Sequence, residues 1–265
     1  MDFGTLLARQ DGAVLHLTLN RPEVRNAMSL AMVLELRQAL DRAEKDGQTR
    51  IVVLRGAGGH FCAGGDIKDM ALARSRLTED PKALQEVNAA FGELCVAFAA
   101  SPLAVIAVLQ GTVMGGGFGL ACVADVTLAD DSVVFRLPET SLGLVPAQIA
   151  PFLVERLGYA EARRLAVTGA RIESQEALRL RLVHEVLIDD ALDWGLQRVV
   201  NDILHCAPQA LAATKALIAK ARLHTPASLV AHAAEVFAQA AQGPEGAEGT
   251  GAFIAKRKPN WAPPA

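Results

Sequence analysis

Apolar positions in the first half of the chain follow two alternating periods, one typical of strands and one typical of helices. AVLHLTLNRP alternates apolar and polar residues from Val14 to Leu19, which predicts a strand that ends at a turn. Ser29 then offers an N-cap to LAMVLELRQALDRAEKDG, a helical pattern closed at Gly47. RIVVLRG and LAVIAVLQG are continuous apolar runs of the kind that forms fully buried parallel strands. Strands that alternate with helices predict an α/β domain with parallel pairing.

The pattern changes towards the C-terminal end of the chain. Before the change, a helix is predicted over 82–100 and two short strands over 126–135. From about Asp189 the apolar positions take helical spacing almost continuously, in ALDWGLQRVVNDIL, PQALAATKALIAKARL and SLVAHAAEVFAQAAQ. The turn-rich QGPEGAEGTG, Gln242 to Gly251, is expected to be a surface loop before a last short helix. These patterns divide the chain into an α/β part over 1–190 and a helical region over 191–265.

Composition narrows the possible functions. A chain of 265 residues with 51% hydrophobic and 21% charged residues is typical of a globular protein with a large core. The net charge of −3 and a pI near 6.1 give no broad electrostatic reason to bind nucleic acid or an anionic membrane. No signal peptide or membrane-spanning stretch is apparent, so the protein is expected in the cytoplasm.

Cysteine, histidine and serine patterns give little support for metal or nucleophile chemistry. The four cysteines include no CxxC pair and are interpreted as reduced core residues; even Cys62, in a glycine-rich loop, is expected to be a small buried residue rather than a nucleophile. The histidines show no metal-ligand spacing, and no serine lies in a nucleophile elbow. We therefore expect no metal.

A glycine run follows the second buried strand, in QGTVMGGGFGLACVAD. It lies at a strand-to-helix junction, where free N–H groups and the positive end of the helix dipole bind or stabilise an anion. The run has neither the dinucleotide-binding glycine register nor the Lys-Ser/Thr of a phosphate loop. Close packing of backbone is the alternative explanation for a single cluster of this kind.

Two further segments favour the anion-binding interpretation. GAGGHFCAGGDIKDM, 56–70, also follows a buried strand and also enters a helical pattern, at Asp66. Two such loops in one domain can each offer one N–H to a shared oxygen. In FRLPETSLGLVPAQIAPF, Glu139 follows Pro138 in a mainly apolar segment, where a carboxylate has a raised pKa and exchanges protons near neutral pH.

At these segments the chain resembles the enoyl-CoA hydratase/isomerase, or crotonase, superfamily. The resemblance runs from LTLNRPEVRNAMS through FCAGGDIKDM, QGTVMGGGFGLACVADVTLA and LPETSLGLVP to GTGAFIAKRKPNW, in the family's order and approximate spacing. It implies a spiral of strand-strand-helix units with a helical C-terminal part that forms trimers, which often pair into hexamers. It also implies an acyl-CoA thioester as substrate, with coenzyme A as part of that substrate and no further cofactor.

The resemblance assigns roles to individual residues. Gly65 and Gly116 match the family's oxyanion-hole donors, whose N–H groups bind the thioester oxygen, and Glu139 matches one of two catalytic carboxylates. The other position holds Gly119, so the chain departs from the two-carboxylate pattern and Glu139 is left to transfer the proton. Substrate or coenzyme A contacts are implied for Arg25, Ala27, Ala63, Asp66, Ile67, Ala147, Gln148 and Lys256, with Lys258 beside the last of these. A helix cap is the other role considered for Asp66.

Single-glutamate members of the superfamily suggest the reaction. They include hydratases of 3-methylglutaconyl-CoA and isohexenylglutaconyl-CoA, in leucine and acyclic-terpene catabolism, and double-bond isomerases. The segment GLVPAQIAPF favours the first group, in which Glu139 would activate water and Ala147 would offer its N–H to it. An isomerase, a generic short-chain enoyl-CoA hydratase and a non-catalytic homologue are the alternatives. A distal substrate carboxylate would need a polar or cationic partner, for which Arg136 is considered but not assigned.

Overall fold

The computed structural model describes residues 3–188 and 191–263. In chain order the strands are β1 (Leu6–Asp11), β2 (Val14–Leu19), β3 (Ile51–Gly56), β4 (Ala104–Leu109), β5 (Thr112–Met114), β6 (Val126–Asp130), β7 (Val134–Arg136), β8 (Arg171–Glu173) and β9 (Glu185–Leu187). The helices are α1 (Leu30–Lys45), α2 (Ile67–Ser75), α3 (Ala83–Ala100), α4 (Gly116–Val123), α5 (Ala150–Thr168), α6 (Ser174–Arg179), α7 (Ala191–Leu204), α8 (Pro208–Ala221), α9 (Pro226–Gln242) and α10 (Pro244–Ile254).

The strands form two sheets. The larger has the order β1-β2-β3-β4-β6-β9, and every neighbouring pair after the antiparallel β1–β2 pair is parallel. The smaller has the order β5-β7-β8, with β5 and β7 parallel. The chain twice passes from a strand of the larger sheet to a strand of the smaller one and then into a helix, as β4-β5-α4 and β6-β7-α5. The predicted α/β spiral of strand-strand-helix units is thus confirmed.

β4 is apolar at every position and β3 from Ile51 to Leu54, because both faces of these central strands are covered. Val52 and Leu54 of β3 face the main core, which α1, α3, α4 and α5 complete. Ile51 and Val53 face the opposite way and pack against Leu196 and its neighbours on α7. Full burial of one such side chain contributes about 1.5–3 kcal/mol, so helices are needed on both sides of the sheet. α7, the first element of the region predicted as helical, is therefore part of the packing of the sheet.

Most predicted elements lie where the sequence places them. The Ser29 hydroxyl accepts a hydrogen bond from the N–H of Met32 at 3.2 Å and caps α1, and Gly47 has a φ of +68° just beyond the helix end. α7, α8 and α9 match the three helical patterns of the C-terminal region. The position where the chain changes character, Asp189, and the boundary at residue 190 lie outside the described residues.

One prediction is wrong, and several elements, including the six-residue strand β1, are not predicted by the sequence pattern. The segment 242–251, expected to be a loop, is mostly helix: α10 begins at Pro244 and runs through it. Its glycines allow close packing, since a Cβ on Gly246 would overlap the carbonyl oxygen of Ala240 and one on Gly249 would lie 3.0 Å from the Trp261 ring. β1 was not predicted because its residues, LLARQD, are mostly exposed at the sheet edge and lack a buried alternation.

Candidate active site

A turn between β2 and α1 fixes the start of the first glycine loop, residues 61–65. Its residues Arg25 and Asn26 have φ values of 49° and 58°, in the left-handed region. The buried side chain of Asn26 donates to the carbonyls of Ala57 and His60, at 2.9 and 2.7 Å. Its Oδ1 accepts from the N–H of Arg21 at 2.9 Å. A fully bonded buried amide therefore ties this turn to the chain that follows β3.

The first glycine loop is held as extended backbone between two neighbours. On one side Cys62 pairs with Val113 of β5 in a parallel bridge, and on the other Gly65 pairs with Met28. β5 leads directly into the glycine triplet, residues 115–117. The pairing of Cys62 with β5 therefore sets the two glycine segments side by side, as the sequence predicted.

Gly65 and Gly116 present backbone N–H groups without protein acceptors. In its bridge Met28 donates to the carbonyl of Gly64 and accepts from the N–H of Asp66, so the N–H of Gly65 points away from Met28. Gly116 is the first residue of α4, where an N–H has no intrahelical partner. Within the described parts of the chain, neither N–H donates to a protein carbonyl. Both residues line the same cavity.

The other glycines of the triplet serve packing and backbone geometry. Gly115 has φ +47° and ψ −117°, a conformation available almost only to glycine. A Cβ on Gly117 would lie 2.6 Å from the Cβ of Cys62 and 2.7 Å from its carbonyl oxygen. Backbone geometry and close packing thus account for Gly115 and Gly117, whereas the anion-binding interpretation concerns Gly116 and stays a prediction. Cys62 itself is buried, and burial raises the pKa of its thiol to about 11, which fits the predicted core role rather than a nucleophile.

Glu139 is the carboxylate that faces the two glycine segments. It begins a short 3₁₀ turn after Pro138, and its Oε1 lies 2.8 Å from the place where a Cβ on Gly115 would be. Its Oε2 is buried and has no hydrogen-bond partner among the described residues. Burial raises the pKa of Glu139 above its ordinary value. An unpaired carboxyl group beside free N–H donors is suited to exchange protons with a bound molecule.

The site has no room for a second carboxylate at Gly119. A Cβ there would overlap Cγ2 of Ile149 and lie 3.5 Å from the ring of Phe91. Ile149 and Gly119 are both buried. Packing therefore explains the departure from the two-carboxylate pattern, because the side chain of Ile149 fills the space that a longer residue at position 119 would need.

These groups surround a cavity of about 460 Å³. Its wall is largely apolar and includes Met28, Leu30, Val33, Met70, Leu84, Val87, Phe91, Leu142, Leu144 and Val145. Among the described residues that line it, the charged ones are Asp66, Asp69 and Glu139, and none is a lysine, arginine or histidine. An apolar chamber with a few convergent polar groups is typical of a small-molecule site.

Most residues singled out from the sequence line this cavity. Ala63, Gly65, Asp66, Ile67, Gly116, Glu139, Ala147 and Gln148 do so, whereas Arg25, Ala27 and Lys256 are not among the lining residues. Arg25 and Lys256 are exposed. Arg136 is also outside the lining; its Nε donates to the carbonyl of Gly169 at 3.1 Å.

Of the lining residues, Ala147 has different surroundings from those expected, whereas Asp66 takes the cap role that was also considered for it. Ala147 was expected to offer its N–H to a water, but it lies before α5, which begins at Ala150, and this N–H donates to the carbonyl of Val145 at 2.8 Å. That N–H is therefore already satisfied and does not point at a water. Asp66 caps α2 through the N–H of Lys68 and pairs with Arg21 at 2.7 Å. Burial opposes its charge, yet these hydrogen bonds hold its pKa below the ordinary value.

Sequence reasoning missed the contribution of α3. Leu84, Val87, Asn88 and Phe91 of this helix line the cavity, and Phe91 lies 3.3 Å from a Cβ built on Gly116. Their spacing of three, one and three residues places them on one helical face. One feature of the sequence could have indicated this role, namely the polar Asn88 within an apolar stripe of the helix. The helical pattern alone, however, does not distinguish a cavity-lining Asn88 from one that faces solvent.

None of the helices in residues 3–188 and 191–263 combines the length and the apolar character that a membrane crossing requires. No group of three or more His, Cys, Asp or Glu side chains in these ranges is arranged to hold a metal ion.

Comparisons with known proteins agree with the geometry. A family model described as Enoyl-CoA hydratase/isomerase matches residues 9–264. The solved structure of Pseudomonas aeruginosa AtuE is 53% identical and covers 98% of this chain and 100% of its own, with a TM-score of 0.94. An enoyl-CoA hydratase/isomerase from Marinobacter aquaeolei is 50% identical, with coverage of 98% and 99% and a TM-score of 0.92. The 2,3-dehydroadipyl-CoA hydratase of Escherichia coli strain K12 is 30% identical over 97% of this chain and 98% of its own.

Proposed function

This chain belongs to the enoyl-CoA hydratase/isomerase family, and from that premise we propose that it is a hydro-lyase that adds water across the 2,3 double bond of an enoyl-CoA. The observation that carries the proposal is the unpaired Glu139 carboxyl facing the free N–H groups of Gly65 and Gly116 across one cavity. The same cavity is apolar enough to take an acyl chain and has room for one of moderate size.

The two N–H groups activate the thioester. Both donate to its carbonyl oxygen, on which negative charge develops when a nucleophile adds to the β carbon and an enolate forms. One such donor is worth about 3 kcal/mol of transition-state stabilisation. Within residues 3–188 and 191–263 no protein acceptor receives the N–H of Gly65 or Gly116, so the donors are ready before the substrate arrives.

Glu139 moves the proton. As a carboxylate it removes a proton from water as the water oxygen bonds to the β carbon, and as an acid it returns that proton to the α carbon of the enolate. One carboxyl group acting from one side gives syn addition. A pKa raised by burial brings the group closer to neutral pH, where both steps are efficient.

A 3-branched glutaconyl thioester, such as 3-methylglutaconyl- or isohexenylglutaconyl-CoA in leucine or acyclic-terpene catabolism, is the substrate class that we favour. The 2,3-dehydroadipyl-CoA hydratase relative is named for an acyl chain that also ends in a second carboxylate. The apolar wall suits the branch, and the amides of Asn88 and Gln148 provide hydrogen-bonding groups in the same cavity. A generic short-chain enoyl-CoA fits the shared catalytic groups equally well.

The remaining parts of the proposal concern coenzyme A and assembly. Coenzyme A enters as part of the substrate, without another cofactor, and the exposed Arg25, Lys256 and Lys258 are positive groups for its phosphates. The exposed Phe237, Phe253 and Ile254 of α9 and α10 are apolar surface that a homotrimer, or a pair of trimers, would cover. We place the protein in the cytoplasm.

The central test is Glu139→Gln, which keeps the size of the side chain but removes its proton transfer. We expect kcat/KM for hydration to fall by about 10²- to 10⁴-fold, the usual contribution of a general acid-base group. Glu44→Gln on the exposed face of α1 is the matched control and should retain full activity. Undiminished hydration by the Glu139 variant would refute the assignment.

Double-bond isomerisation is the second candidate, and the single carboxylate favours it because an isomerase needs one group to carry a proton between the α and γ carbons. Incubation with crotonyl-, 3-methylglutaconyl-, isohexenylglutaconyl- and 3-hexenoyl-CoA, followed by mass spectrometry, separates the two. A gain of one water on a glutaconyl thioester supports the proposal. Conversion of 3-hexenoyl-CoA to its conjugated isomer without a mass change, and no hydration, supports the isomerase.

A further inference from the structure

Two neutral amides form a pair on the cavity wall. Nε2 of Gln148 donates to Oδ1 of Asn88 at 2.8 Å, and both residues line the cavity. This bond leaves the Nδ2 group of Asn88 free to donate, since among the described residues no protein acceptor receives a hydrogen bond from it. The pair is therefore a ready hydrogen-bond donor in a wall that is otherwise largely apolar.

The backbone of α3 makes room for this pair. Gln148 lies over Gly92, and a Cβ at that position would overlap its Oε1 and lie 2.7 Å from its Cδ. Gly92 is buried in the middle of the helix, where glycine is less favourable than alanine. The absence of a side chain at Gly92 therefore leaves space for the Gln148 amide beside Asn88.

The position of the pair relates it to the thioester site. Phe91 packs on Gly116, and Asn88 lies three residues earlier on the same face of α3. Three residues rise about 4.5 Å along a helix, a distance that a short dicarboxylic acyl chain spans beyond its thioester carbon. The spacing between Asn88 and the residue that packs on Gly116 therefore matches the length of such a chain.

We propose that Asn88 and Gln148 determine acyl specificity by donating hydrogen bonds to a second carboxylate of the acyl chain. This inference rests on the proposed acyl-CoA function of the cavity. Amide donors bind a carboxylate oxygen with a charge-assisted hydrogen bond. They also carry no positive charge that would favour the ionised form of Glu139, as an arginine or lysine in the same wall would.

The test measures binding rather than turnover, with saturated thioesters that cannot be hydrated. Calorimetry compares glutaryl-CoA with valeryl-CoA, which has the same chain length but no second carboxylate. For Asn88→Ala we expect the Kd of glutaryl-CoA to rise by about tenfold or more, the usual loss for a hydrogen bond to a charged group, with the Kd of valeryl-CoA within twofold. Asn88→Asp should weaken glutaryl-CoA further, by repulsion between like charges.

Two more variants separate the subsite from a general effect on the cavity. Gly92→Ala should displace the Gln148 amide and reduce the preference for glutaryl-CoA, although alanine favours the helix. Gln85→Ala, on the exposed part of α3, should change neither Kd. Equal losses for both thioesters in Asn88→Ala, or glutaryl-CoA binding as tight in Asn88→Asp as in the wild type, would overturn the proposal.

The binding assay also keeps this proposal distinct from the catalytic one. If the protein prefers glutaryl-CoA through Asn88 but hydrates no enoyl-CoA, the specificity proposal stands and the hydratase proposal fails. If the protein hydrates crotonyl-CoA but binds the two saturated thioesters equally well, the hydratase proposal stands and the specificity proposal fails.

Discussion

Two regions of the molecule contain a glycine-rich segment and a glutamate, and they use them in opposite ways. At the cavity, the N–H groups of Gly65 and Gly116 have no acceptor in the part of the chain that the structure describes, and the buried Oε2 of Glu139 has no partner there. In the C-terminal region, the glycines of α10 allow close packing against α9 and Trp261. There Glu248 accepts hydrogen bonds from both terminal nitrogens of Arg257 and from the N–H of Asn260.

The difference shows how function is recognised in a fold of this kind. Native proteins pair nearly all their buried polar groups, so unsatisfied groups that converge on one cavity mark the place where an external molecule completes the bonding. The glycine content of the two segments is similar and does not distinguish them. Four experiments can break or sharpen the comparison, taken from the largest expected effect to the smallest.

Gly117→Ala should affect both stability and activity. The new Cβ would meet the Cβ and carbonyl oxygen of Cys62 at 2.6 and 2.7 Å, so the backbone of one glycine segment must move. We expect a loss of about 1–3 kcal/mol in the free energy of unfolding, the usual cost of overpacking. Because the donors at Gly65 and Gly116 move with the backbone, kcat/KM should fall by about 100-fold. Urea unfolding and hydration kinetics measure the two effects, and full activity would contradict the prediction.

Gly246→Ala should affect stability alone. Its Cβ would overlap the carbonyl of Ala240 and lie 2.7 Å from that of Ala241, which again requires a backbone shift. The expected loss is also about 1–3 kcal/mol, but kcat/KM of the folded fraction should match that of the wild type because α10 carries none of the described cavity-lining residues. A drop in kcat/KM comparable to that of Gly117→Ala would remove the distinction between the regions.

Gly119→Ala tests whether packing excludes a side chain at that position. The clash is with Cγ2 of Ile149, and Ile149→Leu removes this branch while conserving volume. The double variant should therefore be more stable than the sum of the two single changes predicts, by about 0.5–3 kcal/mol. Strict additivity in a double-mutant cycle followed by urea unfolding would show that the two residues do not compete for space.

The two glutamates should give opposite effects of pH on stability. The pKa of Glu139 is raised by burial, so the folded state binds the proton more tightly and Glu139 lowers stability as pH rises from the ordinary value of 4.5 through the raised pKa. Hydrogen bonds from Arg257, above all, lower the pKa of Glu248 to about 2, so its contribution is present above pH 4.5 and is lost as pH falls toward 2.

The corresponding variants should then move in opposite directions at neutral pH. Glu139→Gln should be more stable than the wild type and Glu248→Gln less stable, as read from urea unfolding between pH 4 and pH 8. Both effects are small beside those of the glycine substitutions. If both variants shift the urea midpoint in the same direction, the inference that the unpaired Glu139 and the paired Glu248 have opposite effects on stability is wrong.

Much of this architecture could be predicted from the sequence, for physical reasons that particular residues show. β3 and β4 are recognisable because both of their faces are buried, and α1 because Ser29 and Gly47 mark its ends. Glu139 and the two glycine loops stand out because they follow strand ends or lie in apolar sequence. The three-residue strands β5, β8 and β9 carry too few positions to show a period.

The rest depends on tertiary neighbours. α10 was mistaken for a loop because the packing that favours its glycines involves Ala240 and Trp261, which the local pattern does not show. The contact between Gln148 and Asn88 joins segments whose relation the sequence does not define. The N–H of Ala147 donates to Val145 in a local turn that the sequence pattern does not show. Sequence patterns thus identify groups with the right chemistry, whereas the folded chain decides which of them meet.

The parallel bridges of Cys62 and Gly65 have a consequence for how this protein tolerates change. The groups assigned to hold the thioester oxygen are main-chain atoms on hydrogen-bonded backbone, so exchanging a side chain does not delete them. Alanine scanning would pass over them, and replacement of a backbone amide by an ester is the change that would expose them. Natural substitutions of side chains that line the cavity can therefore change which acyl chain binds, while the backbone N–H groups that activate the thioester are retained.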